Sequence, residues 1–254
     1  MNTQTATACQ ADIAFQENLY NDANPTRRWL HTSRRQWVSA QLAKYTATPR
    51  TRVFEIGVGA GIYTRFMSNQ QCEIFAVDIN ADFLNAVSLL PGVMVSCCDA
   101  TRDIQARNYD LGLCSEVLEH VLPEDSRGML RCLYQSVKPG GIVILTTPQR
   151  TSTMETFIRL LQFRPFMALA KRIYGQVDDL GHINVLSAKD LQIQLKQTGF
   201  DIIEHTQLAL YLPVLAEFGG AFGQRVADFL ARCLRGTCLS GLLWTQAYVL
   251  RRLA

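Results

Sequence analysis

The chain has 254 residues, 48% of them apolar, and a formal net charge of +3. That length is one domain, or one domain with inserts, with ample material for a core. The small charge excludes an argument for nucleic acid from electrostatics alone. The eight cysteines show no C-x-x-C or other zinc spacing, so they read as buried hydrophobes in a reducing compartment.

The first residues lack the basic and apolar regions of a secretory signal, and no apolar run is long enough to span a bilayer. A cytoplasmic location is expected. Residues 1–50 read as an N-terminal helical cap, with a turn at Asn24-Pro25 and a basic cluster of Arg27, Arg28, His31, Arg34 and Arg35. From Thr51 to Pro148 apolar strands alternate with helices, the pattern of a parallel α/β sheet covered on both faces.

The first strand carries Glu55 and runs into Gly57, Gly59 and Gly61, where a chain without Cβ atoms can turn sharply beneath a ligand. The spacing is not G-x-G-x-x-G, because Ile62 stands at the last position, and no Gly-Lys-Ser/Thr follows to make a P-loop. A second strand ends in Asp78, the residue type that receives ribose hydroxyls at this place in doubly wound folds. A third ends in Asp99. Either aspartate could instead simply cap the following helix. Tyr109-Asp110-Leu111 opens the fourth strand, Val137 to Gly141 precedes the fifth, and Gly199-Phe200 the sixth.

Two segments, 151–186 and 210–236, interrupt this order with amphipathic helical patterns. Ser152 to Glu155 and Ser187 to Asp190 have the spacing of helix N-caps. Phe222, Val226, Phe229, Leu230 and Cys233 form an apolar set in the second insert, and basic residues flank both. Such helices either bury their stripe as a lid or lie on a membrane surface. The stretch from Leu242 to Leu250 reads as a last strand.

G-x-G-x-G after an acidic residue, followed by strands in this order, resembles the class I S-adenosylmethionine (SAM) methyltransferases over roughly residues 50–210. The resemblance implies a doubly wound, Rossmann-like sheet of seven strands, mostly parallel with an antiparallel last strand. It also implies a SAM site at residues Gly57, Gly59 and Gly61, with Asp78 on the ribose and Asp99 beside the adenine. Cys114 and Ser115 would lie along the methionine side, and Glu55 would order the loop.

Asn24-Pro25-Thr26-Arg27 resembles the N-P-x-R segment of ubiquinone-biosynthesis O-methyltransferases, which implies that Arg27 meets the SAM carboxylate. Glu116, Glu119 and His120 have the E-x-x-E-H spacing of a metal motif in those enzymes and in small-RNA 2′-O-methyltransferases, with His182 in place to complete it. On a helix these positions would share a face and could hold magnesium or manganese. Without a metal, His120 or His182 would be the base, and Glu119 stays in the catalytic set on either account.

The expected activity is transfer of a methyl group to a hydroxyl of a hydrophobic or amphiphilic acceptor such as a phenol, quinol or lipid-linked molecule, at the inner face of a membrane. RNA ribose methylation and non-catalytic SAM binding are the alternatives. No basic run interleaved with aromatics supports an RNA partner.

Overall fold

The computed structural model describes residues 18–102, 107–161 and 183–253. The first helix, α1 (Pro25–Tyr45), starts where the sequence places a turn. Asn24 caps it by accepting from the backbone N–H groups of Thr26 and Arg27, and Pro25 sits in the first turn. Leu30, Arg34, Val38 and Leu42 recur every fourth position and are buried. Val38 and Leu42 join one core cluster with Val53, Leu113 and Ile144, so α1 lies on the sheet. Each fully buried Leu or Val contributes roughly 1.5–3 kcal/mol.

Seven strands follow: β1 (Arg52–Ile56), β2 (Glu73–Asp78), β3 (Val93–Cys97), β4 (Tyr109–Ser115), β5 (Val137–Pro148), β6 (Phe200–Leu208) and β7 (Thr245–Arg252). They form a single sheet in the order β3-β2-β1-β4-β5-β7-β6. β1 is parallel to β2 and β4, while β7 is antiparallel to both β5 and β6, as the sequence leads one to expect of the last strand. Adjacent residues of β1 go to opposite cores. Phe54 and Ile56 pack with Leu130 and Tyr248, and Val53 with Met67 and Leu42. Burial on both faces is why these strands read as unbroken apolar runs.

The connecting helices are α2 (Ile62–Asn69), α3 (Ala81–Asn85), α4 (Ser126–Ser136), α5 (Thr153–Leu161) and α6 (Ala188–Thr198). The caps read from the sequence form. Ser152 Oγ accepts from Glu155 N–H at 3.1 Å, and Ser187 Oγ from Asp190 N–H at 3.2 Å. Gly199 ends α6 at φ 106°.

Most of the first insert, 162–182, lies outside the described residues. The second forms α7 (Pro213–Phe218) and α8 (Gly220–Leu234). Here the structure departs from the expected stripe. α8 buries Gly223, Ala227 and Ala231, and leaves Phe222 and Phe229 71% and 61% exposed. The small residues win because α8 sits close against its neighbours. A Cβ on Gly223 would come within 2.2 Å of the Leu215 carbonyl.

Candidate cofactor and methyl-acceptor site

The strand order reverses between β1 and β4, and their carboxyl ends open a crevice of the kind that takes ligands in doubly wound sheets. The turn after β1 fills its floor. Gly57, Gly59 and Gly61 all have positive φ. At Gly57 (φ 79°) a Cβ would meet Val117 Cγ2 at 2.2 Å, so both backbone conformation and space demand glycine. Asp78, at the end of β2, ties this turn down: its Oδ2 accepts from Val58 N–H at 2.8 Å and its Oδ1 from Asn80 N–H at 2.9 Å. It stands where a ribose-binding carboxylate would.

Glu55 lies below the turn and is buried. It accepts from Thr64 Oγ1 at 2.8 Å, linking β1 to α2. Burial pushes its carboxyl up to about 8, against the Thr64 hydrogen bond, and Asp78 adds to the rise. At neutral pH it is a neutral brace. Asp99 is spent locally, accepting from Thr101 N–H and Oγ1 at 2.9 and 2.7 Å, and the Thr101 hydroxyl is the first cause holding it below the usual carboxylate range. Cys114 is buried in the core beside Leu118, so only its backbone can reach the crevice. Ser115 Oγ is 2.9 Å from Thr146 Oγ1 at the sheet edge.

Three expectations need correction. Arg27 does not enter the crevice: it is 46% exposed and paired with Asp22 at 3.1 Å and Glu217 at 3.6 Å. The arginine that does is Arg34, two turns further along α1, ion-paired through Nη1 with Glu116 Oε2 at 2.7 Å. Burial opposes the Arg34 charge, yet Glu116 beside it holds the guanidinium above its ordinary range.

Second, Glu116, Glu119 and His120 do not converge. The chain is not helical at Glu116, whose φ is 56°, and only Leu118–His120 make a short 3-10 turn. Glu116 goes to Arg34, Glu119 is fully buried and accepts from Thr147 Oγ1 at 3.0 Å, and His120 is exposed. No group of three or more His, Cys, Asp or Glu suited to a metal occurs among the described residues, and His182 lies outside them.

Third, Glu119 is not an exposed carboxylate. Burial first, then the Glu116 charge, hold its carboxyl well above the usual range, so it is a protonated core group.

The residue that sequence reasoning left unused is His31. Its ring meets Trp244 edge-on at 5.3 Å and Tyr20 at 6.2 Å, and its Nδ1 lies 3.5 Å from Arg34 Nη2. Burial, then the Arg34 charge, push it down to about 3, so the imidazole is neutral. Arg34 Cζ lies 5.6 Å from the Trp244 ring centre.

Around this pair several polar atoms are buried without a hydrogen bond: Arg34 Nε, Glu116 Oε1, Trp244 Nε1 and the hydroxyl of Tyr63. Buried polar atoms are normally satisfied, so a cluster of orphans beside a crevice marks where ligand atoms belong. Trp244 also joins an apolar wall with Trp29, Leu30, Tyr211, Met154 and Phe157.

A family model described as a methyltransferase domain matches residues 23–205. The chain belongs to this methyltransferase family. It is similar to a ubiquinone biosynthesis O-methyltransferase of Xanthomonas axonopodis pv. citri, 31% identical over 144 residues, covering 53% of this chain and 58% of that protein. It is also similar to a carboxy-S-adenosyl-L-methionine synthase of Shewanella pealeana, 28% identical over 117 residues, 41% of this chain and 47% of that one. The methyltransferase domain thus spans about half the length of the curated relatives it matches.

The fold matches the Burkholderia thailandensis 1,6-didemethyltoxoflavin N1-methyltransferase, solved with its substrate and S-adenosylhomocysteine. The TM-score is 0.57 and the identity 12%, over 100% of this chain and 92% of that one.

Proposed function

We propose that this chain is a SAM-dependent methyltransferase whose acceptor is a hydroxyl on a hydrophobic or amphiphilic small molecule. The observation that carries the reading is the charged pair Arg34–Glu116, with its orphaned Nε and Oε1, set beside the glycine turn and Asp78 at one crevice mouth. An amino-acid zwitterion asks for such a pair. Arg34 would hold the cofactor's carboxylate by charge-assisted hydrogen bonds, and Glu116 Oε1 would accept from its ammonium. Asp78 would take the ribose hydroxyls, and the backbone of Gly57, Gly59 and Gly61 would pass under the chain between them.

Bound SAM supplies an already activated methyl group, so the protein's work is to position an acceptor behind it and exclude water. Trp244, Tyr211, Phe157 and Trp29 offer an apolar wall next to the charged pair, which supports an apolar or aromatic acceptor. The O-methyltransferase among the relatives supports a hydroxyl. His31, neutral and facing Trp244, can accept a hydrogen bond there, but its low basicity makes it a positioning group. The donors expected of a metal site point apart, so no step runs through a metal.

Calorimetry with S-adenosylhomocysteine tests the reading. The wild type should bind, with NAD and ATP as negative controls. The Arg34→Met/Glu116→Gln double variant should lose roughly tenfold or more in affinity. It is preferred to Arg34→Met alone, which would strand Glu116 as a buried unpaired charge. Arg27→Met should stay near wild type, because its partners are Asp22 and Glu217. Equal losses in both variants would return the carboxylate to Arg27, and no binding by the wild type would end the proposal. Labelled SAM with a lipid extract, followed by mass spectrometry, would then identify the product.

A further inference from the structure

The outer face of α7 and α8 is unlike the rest of the surface. Val214, Phe218, Phe222 and Phe229 are 73%, 75%, 71% and 61% exposed. Positions 218, 222, 225 and 229 follow each other at helical spacing, opposite the buried Gly223, Ala227 and Ala231. A core-seeking helix would have turned the phenyl rings inward. Here the small residues hold the helix to the body and the rings stand in water.

The charges beside the rings are basic. Arg225, Arg232 and Arg235 are exposed on α8 and just beyond it. The two acidic residues of these helices are already engaged. Asp228 pairs with Arg232 at 2.6 Å, and Glu217 is held by the Tyr211 hydroxyl at 3.0 Å and by Arg27. Phenyl rings separated by arginines fit a surface that is apolar beneath and anionic at its boundary. A second copy docking on the same face would bring arginine against arginine across a two-fold axis. No helix among the described residues is long and apolar enough to cross a membrane, so contact through this face would be peripheral.

We infer that the face carrying Phe218, Phe222 and Phe229 seats the protein on an anionic lipid surface, the rings entering the headgroup boundary and Arg225 and Arg232 meeting lipid phosphates. The inference is independent of the catalytic reading, since it needs neither SAM nor an acceptor.

Co-sedimentation with vesicles tests it on the full chain. Vesicles of equal parts phosphatidylcholine and phosphatidylglycerol should pellet the protein, pure phosphatidylcholine should pellet far less, and high salt should release it. Phe222→Ser/Phe229→Ser should cut the bound fraction roughly tenfold. Both side chains are exposed, so the thermal transition should barely move. Should that variant misfold, Arg225→Gln/Arg232→Gln carries the test and should abolish the preference for the anionic vesicles.

Wild type left in the supernatant with the anionic vesicles would overturn the inference. So would binding indifferent to both variants. A dimer in sedimentation velocity that Phe222→Ser/Phe229→Ser dissolves would assign the face to a second copy instead.

Discussion

Burial sets the protonation of two of the glutamates around the crevice, and with it their roles. Glu55 keeps its proton to about pH 8 in the folded chain, whereas its ordinary value is 4.5. Between those values the folded state binds the extra proton. The stability it contributes is therefore complete below about pH 4.5 and is lost as pH rises toward 8. Chemical denaturation across this window should show a decline of up to about 1.4 kcal/mol per pH unit from this group. Glu55→Gln keeps a neutral acceptor for Thr64 and should remove that part of the slope. An unchanged slope in the variant would assign the titration elsewhere. Asp78 could be read from the sequence because a strand-end carboxylate has few other tasks. Arg34 could not. Arg27 and Arg34 are seven residues apart on one helical stripe, and only the rise of about 10 Å along α1 decides which reaches the crevice. Glu116 and Glu119 were misjudged because their spacing was taken as helical, and the left-handed backbone at Glu116 sends them to different partners.

Elements were legible where one interaction dominates. β1, β2, β4 and β5 are buried on both faces, so their apolar runs leave little choice, and the caps at Ser187 and Gly199 form as spacing predicts. α8 was harder because two apolar sets compete on one helix. Periodicity cannot say that Gly223, Ala227 and Ala231 are the ones against the body when close approach is what selects them. The glycine turn allows a sharper test. Gly57 and Gly140 both have φ near 80°, at 79° and 77°, but a Cβ at Gly57 would strike Val117 while one at Gly140 meets nothing within 4 Å. Alanine at Gly140 should cost only the left-handed strain, about 1–2 kcal/mol. It should leave S-adenosylhomocysteine affinity intact. Alanine at Gly57 should cost more and abolish binding by calorimetry, because either the turn or Val117 must move. Equal behaviour of the two variants would remove the turn from the cofactor site.

At the scale of the whole molecule, two cores share one sheet. Phe54 and Val53 are neighbours in β1 yet anchor opposite clusters, so neither core can melt while the other keeps its strands. Unfolding should be a single cooperative transition. The crevice is built on that same sheet, so a ligand that binds only the folded chain stabilises both cores together. At a hundred times the dissociation constant the gain is about 2.7 kcal/mol. For a chain of this size it should raise the melting temperature by about 5–10 °C. Asp78→Asn separates this linkage from loop stability. Asparagine keeps one oxygen for the backbone groups of Val58 or Asn80, so the ligand-free transition should fall by the few degrees that one lost hydrogen bond costs, about 1 kcal/mol. The rise on adding S-adenosylhomocysteine should collapse at the same time, because a neutral amide cannot take both ribose hydroxyls as a carboxylate does. Scanning calorimetry of both proteins, with and without ligand, reads the two effects separately. A variant that loses the ligand-free stability but keeps the full ligand-induced rise would show Asp78 to be a brace for the glycine turn, and the ribose would need another carboxylate.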